Sequence, residues 1–257
     1  MRLSNKENMF KTVLRTIGIT LLIVYLSVCG FIWRLNKPDM VYREVRVVIC
    51  DSTDAQFIDE QDILQVVFHS ADSLNPIGKK ADLYDAYQLE KILERNTLIA
   101  DANCYPTPDS ILRIDIYQRK PILRIKSNSL NHDCYLDREG ELMIYKPSRH
   151  AVEVPVATGF VTKEIAQGPL FELAKYLRGH KRWREEIVQI YVENNGDFLL
   201  VPRKGDHTIL LGPVNELETK FDHLETFYKK VLDKKGWNSY RNINLKFKGQ
   251  IVAEKRK

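Results

Sequence analysis

The chain has 257 residues, a hydrophobic share of 44% and a formal net charge of +5. That is ample apolar material for packed cores, and the basic residues are scattered rather than gathered among stacking aromatics, which excludes a nucleic-acid reader. The four cysteines, Cys29, Cys50, Cys104 and Cys134, form no CxxC and no His/Cys ligand spacing, which excludes a zinc module and leaves free thiols or one disulfide open.

From Thr16 to Trp33 there is no charged side chain, and Arg15 and Arg34 flank the run. At about 1.5 Å per helical residue it covers most of a hydrocarbon core of about 30 Å. The pattern predicts a single transmembrane helix over 16–35, after a tail at 1–15 and before a linker at 36–41 that holds Pro38. A cleaved signal peptide would have a shorter apolar region and small residues at its end, whereas this run ends in Phe31, Ile32 and Trp33. A buried core helix would be amphipathic. Arg2, Lys6, Lys11 and Arg15 against Glu7 place the basic excess before the run. The N-terminus is therefore expected in the cytoplasm and the rest outside, in the periplasm of a bacterium with two membranes.

Alternation of Val45, Val47 and Ile49 predicts a strand over 42–49. Asp59 caps a predicted helix to about Phe68, with Ile63, Val66 and Val67 on one face. Asn75, Pro76 and Gly78 signal a loop, and Leu89, Ile92 and Leu93 predict a helix over 84–95. Strands follow over 98–105 and 111–117, with Pro106 and Pro108 in the turn between them. Two helices on a small sheet is the layer arrangement this order allows.

Further on, Cys134 to Met143 reads as a hairpin turning at Glu139 and Gly140. A short helix is expected over 166–177, then strands over 187–192, 197–201 and 207–211. A helix is expected from Asn215 or Glu216 to about Leu232, with Leu217, Phe221, Leu224, Tyr228 and Leu232 on its apolar face. The last strand pattern is Ile243, Leu245 and Phe247 inward against Asn244, Lys246 and Lys248 outward, with a short strand over 251–253.

The segment from Leu89 through the strand that ends in Gln118, Arg119, Lys120 and Pro121 resembles a POTRA domain, and more narrowly that of the FtsQ/DivIB cell-division family, whose strand runs into an (E/Q)-R-x-P signature. Tyr135, Leu136, Asp137 and Gly140 are similar to the family's Y-(L/V)-D-x-x-G hairpin, and Pro155 with Gly159 to its P-x-(L/V)-x-G segment. Ile243 to Phe247 resembles the terminal V-D-L-R-(Y/F) strand, with Asn244 where Asp is usual and Lys246 where Arg is usual. The resemblance implies an α+β chain. A single transmembrane helix would lead into a POTRA domain (β-α-α-β-β) over 42–120, a mainly antiparallel β domain with flanking helices over 121–253, and a basic tail at 254–257.

No serine lies in G-x-S-x-G, no phosphate loop is present, and His69, His132, His150, His180, His207 and His223 form neither HxxxH nor HExxH. His180 and His223 read as exposed helix positions, and His132 with Asp133 as a turn. Acid pairs such as Glu185 and Glu186 read as solvated faces. The expectation is a non-catalytic binding protein with no cofactor, metal, nucleic-acid or small-molecule ligand. An extended peptide can add to a sheet edge, so Ile243, Asn244, Leu245, Lys246, Phe247, Lys248, Ile251 and Val252 are candidate partner-binding residues. Trp237 and Tyr240 are candidate anchors there or plugs between helix and sheet. The resemblance implies FtsB/DivIC-like and FtsL-like bitopic partners, a septal inner-membrane location and a link to septal peptidoglycan synthesis. The competing reading is a POTRA-type chaperone or transport module for outer-membrane or exported polypeptides; a barrel after the POTRA unit would need many ten-residue strands, and 130–253 is too short.

Overall fold

The computed structural model describes residues 17–32, 40–51, 57–69, 74–130, 133–144 and 152–256. Residues 17–32 form a helix, α1, exposed along its whole length. Among the described residues no helix is long and apolar enough to cross a membrane. The expected span over 16–35 runs past α1 at both ends, into residues outside the description, as do the linker through Asp39, His132 and His150.

The first globular unit follows the expected order. It contains β1 (Glu44–Ile49), α2 (Glu60–His69), α3 (Ala86–Leu93), β2 (Ile99–Pro106) and β3 (Ile111–Gln118). β3 is central, parallel to β1 and antiparallel to β2. Its alternation is what places it there: Leu112, Ile114 and Ile116 are completely buried. The start of α2 is a reciprocal cap. Asp59 Oδ1 accepts from the Asp62 N–H at 2.9 Å, and Asp62 Oδ2 accepts from the Asp59 N–H at 3.1 Å. α3 begins later than its apolar spacing suggests, because Asp85 takes the Gln88 N–H at 3.0 Å and so fixes the first turn.

The second unit is a nine-stranded sheet built from β4 (Pro121–Ile125), β5 (Cys134–Asp137), β6 (Leu142–Ile144), β7 (Val156–Gly159), β8 (Ile187–Val192), β9 (Phe198–Pro202), β10 (Thr208–Gly212), β11 (Tyr240–Asn244) and β12 (Val252–Lys255). Its order is β12-β11-β10-β9-β8-β7-β4-β5-β6. The sheet is mainly antiparallel, as expected, with five antiparallel pairings, and it includes three parallel ones, β4–β7, β7–β8 and β10–β11. The connections from β7 to β8 and from β10 to β11 carry the helices, whereas β4 and β7 are separated in the chain by the β5–β6 hairpin.

The helix expected over 166–177 is broken in two. α4 (Lys163–Gln167) is capped by Thr162, and α5 (Pro169–Gly179) starts on a proline. Between them a Cβ on Gly168 would lie 2.7 Å from the Glu164 carbonyl oxygen, so the bend needs glycine. α6 (Lys181–Glu186) follows and buries Trp183. After α7 (Leu217–Phe227) the chain widens into a π turn at Tyr228–Leu232 and ends in α8 (Asp233–Lys235). Phe221, Leu224, Tyr228 and Leu232 are all buried against the sheet, each worth about 1.5–3 kcal/mol relative to exposure.

The two units share packing. Tyr135 and Met143, from β5 and β6, belong to the core of the first unit, and the Tyr135 ring lies 6.0 Å from that of Phe57. Gln118, Arg119 and Pro121 form the joint. Gln118 Oε1 accepts from the N–H groups of Phe57 and Ile58 at 2.7 and 3.1 Å. Arg119 donates to Asp137 Oδ2 at 2.8 Å, and Pro121 pairs with Asp137 in the sheet. The fully buried Asp137 also takes the N–H groups of Glu139 and Glu141 on Oδ1, so its carboxylate is satisfied on both oxygens.

A candidate partner-binding edge

The rim of the large sheet is built from the turn after β10 outward. Lys220, on α7, is buried, and its ammonium donates to the carbonyls of Leu211 and Pro213 and to Asn215 Oδ1 at 2.8–3.0 Å. Burial lowers its pKa, while Glu216 and Asp197 oppose that shift. Three acceptors keep the charge tolerable in this site and hold the 211–215 turn in place. At Gly212, with φ +72, an added Cβ would meet Lys246 Cγ at 2.6 Å, so glycine lets the lysine stem cross the end of β10.

β11 then pairs parallel with β10 and antiparallel with β12. Ile243 and Leu245 face inward and are buried. The Leu245 N–H still reaches the Leu210 carbonyl at 2.9 Å, just past the end of the strand. Phe247 does not follow that alternation. The strand has ended, and Phe247 is half exposed in the turn that leads to β12. Asn244 faces out, and its Oδ1 accepts the Lys246 N–H at 2.9 Å. An amide oxygen thus closes that turn where a carboxylate was the expected residue.

Lys246 is outward but engaged, 2.5 Å from Asp197 Oδ2, whereas Lys248 is the more exposed cation, 3.4 Å from Glu216 Oε1. Trp237 and Tyr240 fill the gap between helix and sheet. The Trp237 ring packs edge-on to Tyr228 at 4.9 Å under the Lys204 ammonium, and Tyr240 is buried edge-on to Phe227 at 5.4 Å. Behind them His207 is buried, with Nε2 2.9 Å from the Tyr228 hydroxyl. Burial pushes the His207 imidazole below its ordinary pKa and raises that of the Tyr228 phenol, so both are neutral at pH 7.

The outermost strand is β12, beyond the Ile243–Leu245 segment. Val252 is exposed, and Ile251 and Ala253 are half buried against the core. β12 bonds to β11 on one side, and among the described residues no strand lies on the other. Beside it, a cleft of about 200 Å³ runs between the start of α7 and the 245–251 turn, with Lys246, Lys248, His223, Phe247 and Ile251 on its walls. His180 is not an exposed helix position. It joins α5 to α6, stacks on Tyr176 at 4.1 Å and directs Nδ1 at the Tyr176 carbonyl.

All four cysteines are free, and burial pushes the Cys104 and Cys134 thiols up to about 12 and about 11. Among the described residues no cluster of three or more His, Cys, Asp or Glu could hold a metal. Sequence reading took Asp137 as part of a hairpin motif and His207 as one histidine among six, but the burial of Asp137, His207 and Lys220 comes from tertiary packing and was not read.

Among protein families, the one described as FtsQ/DivIB, C-terminal related, matches residues 120–254, and the one described as POTRA-like domain matches residues 40–117. No curated protein matches the chain.

Proposed function

Because the chain belongs to the FtsQ/DivIB, C-terminal related family, we propose that it is a non-catalytic scaffold of the bacterial division complex, held in the inner membrane by a single span over 16–35. In this reading the N-terminus lies in the cytoplasm and the two units, over 42–120 and 121–253, lie in the periplasm at the septum. There the protein gathers FtsB/DivIC-like and FtsL-like bitopic proteins and couples them to septal peptidoglycan synthesis.

The observation that carries the reading is the open outer edge of β12 beside a cleft walled by Lys246, Lys248 and Phe247. An extended partner segment adds there as a further strand. Main-chain hydrogen bonds, each worth about 1 kcal/mol net, supply affinity. Acidic side chains on the partner meet the lysines and set register. Trp237 and Tyr240 contribute from behind, by fixing β11, on which β12 is built.

A photo-reactive residue at Val252, in living cells, tests this. The expected product is a crosslink to a small bitopic coiled-coil protein. Capture of exported outer-membrane precursors would instead support a transport role. A folded protein that captures nothing at this position would remove β12 as the docking edge.

A further inference from the structure

Outside α1, the most open apolar side chains of the described residues stand where the chain enters the first unit. Leu83 and Tyr87 are 79% and 65% exposed, and Ile77 is exposed as well. Single exposed apolar residues are ordinary, but these three share one short stretch, and the backbone fixes where its first part lies. The Gly78 N–H donates to the Tyr42 carbonyl at 2.9 Å, the Tyr42 N–H to the Lys79 carbonyl at 3.0 Å, and the Ala81 N–H to the Met40 carbonyl at 2.8 Å. Lys80 also bridges to Val41. Ile77 and Leu83 therefore flank the incoming chain, each within two residues of a bond to 40–42.

The stretch is held firmly. The Lys79 N–H closes a turn on the Pro76 carbonyl, and the Leu83 N–H closes the next on the Lys80 carbonyl. Tyr84 is buried, edge-on to Tyr42 at 5.6 Å, and its hydroxyl donates to the Leu74 carbonyl at 2.6 Å. Leu74 and Tyr84 thus fill the core beneath, and Ile77, Leu83 and Tyr87 are left outside it on a fixed frame.

The origin of the chain decides what meets them. Seven residues, 33–39, separate α1 from Met40. At full extension they reach about 25 Å, less than the width of a small domain. With 16–35 spanning the membrane, the entry face lies within that distance of the lipid. The residue types suit it: leucine and isoleucine enter the boundary of headgroups and acyl chains, and tyrosine sits at headgroup level. Arg43, Lys79 and Lys80 surround the entry, against Asp82 and Asp85, and Asp85 is occupied in capping α3. Anionic headgroups attract such basic residues.

We propose that the two turns over 76–83, with Tyr87, dock on the anionic bilayer that holds the anchor, Ile77 and Leu83 entering it and Lys80 meeting its headgroups. The docking rests on the single-span reading of 16–35, and it fixes how the first unit stands on the membrane.

The full chain is reconstituted in vesicles of phosphatidylcholine and phosphatidylglycerol with doxyl-labelled acyl chains, which quench a fluorophore that touches lipid. A fluorescent aromatic amino acid replaces Tyr25 in α1, Tyr87, or Phe247 at the far rim. The probes at 25 and 87 should be quenched several-fold more than the probe at 247. Ile77→Asp with Leu83→Asp, both at exposed positions, should cut quenching at 87 several-fold, with quenching at 25 and the thermal midpoint unchanged. Lys80→Glu, and vesicles of phosphatidylcholine alone, should each lower it by a smaller factor. A quenched probe at 25 with equal, weak quenching at 87 and 247 would overturn the docking and leave the span standing. An unquenched probe at 25 would overturn the span and the docking with it. Quenching at 87 that survives the double substitution would also overturn the docking. So would a photo-reactive residue at Leu83 that, in cells, captures a protein in place of lipid, which would give this surface to a partner chain.

Discussion

The two sheets treat their edges differently. In the small sheet the outer edge of β2 is covered by α3, and Glu90 Oε1 takes the Cys104 N–H at 2.7 Å. At one end of the large sheet, β6 is fastened to the first unit by its Ile144 N–H on Thr97 Oγ1 at 3.3 Å. At the other end β12 carries no such cover among the described residues. Exposed edges invite unwanted pairing, and proteins ordinarily blunt them. Of the four outer edges, those of β2 and β6 are tied by a side chain, while β1 and β12 have no further strand beside them among the described residues; the proposed docking falls on β12 because the cleft walled by Lys246, Lys248 and Phe247 lies beside it. The difference also separates two kinds of polar residue. Glu90 and Asp137 serve closure, while Lys248 faces outward with 86% of its side chain accessible.

Breaking the closed end should have the largest effect. Asp137→Ala strands Arg119 and two backbone N–H groups inside the joint and should cost about 4 kcal/mol, read as a fall in the urea midpoint. Next comes Leu245→Pro, which removes the N–H that reaches Leu210 and should cost about 3 kcal/mol. Amide exchange should then rise through β11 and β12 while β3 stays protected. Glu90→Ala uncovers the Cys104 N–H and should cost about 1–2 kcal/mol; exchange should quicken at Cys104, and self-association should appear if the closed edge is closed for a reason. Val252→Lys, on the open edge at a position already 48% exposed, should change stability by no more than about 0.5 kcal/mol. It should still cut partner capture several-fold, because a charge on an edge strand discourages pairing. A large stability loss from that substitution would mean that β12 belongs to the closed set.

Much of this arrangement was legible in the chain itself. The strand expected over 111–117 is present with Leu112, Ile114 and Ile116 buried, its central place in the sheet coming from pairing that no local pattern gives, and the Gln118, Arg119 and Pro121 motif drew attention to what proved to be the joint. The terminal strand pattern located the rim, though not its outermost member. That required knowing that β11 runs parallel to β10, a pairing set by the crossover through α7 and not by any local residue pattern. Phe247 continued an alternation on paper that the backbone abandons at Leu245. Gly168 and Pro169 stood inside a helical periodicity strong enough to hide the break they cause. Lys220 gave no signal, because a lysine every few residues is what a solvated helix face looks like, and only the three acceptors around its ammonium reveal otherwise.

The parallel β10–β11 pair, with its three matched positions from Thr208 to Leu210, has a mechanical meaning. A tug along the strand axis loads its hydrogen bonds in shear, so they resist together. A tug across the sheet opens them one after another, like a zip. A chain paired on β12 can therefore pull lengthwise on the β11–β12 hairpin without detaching it, and the same hairpin gives way to a sideways lift. In the proposed docking the rim is then a fastening with a direction, firm under tension along the strands and releasable by rotation.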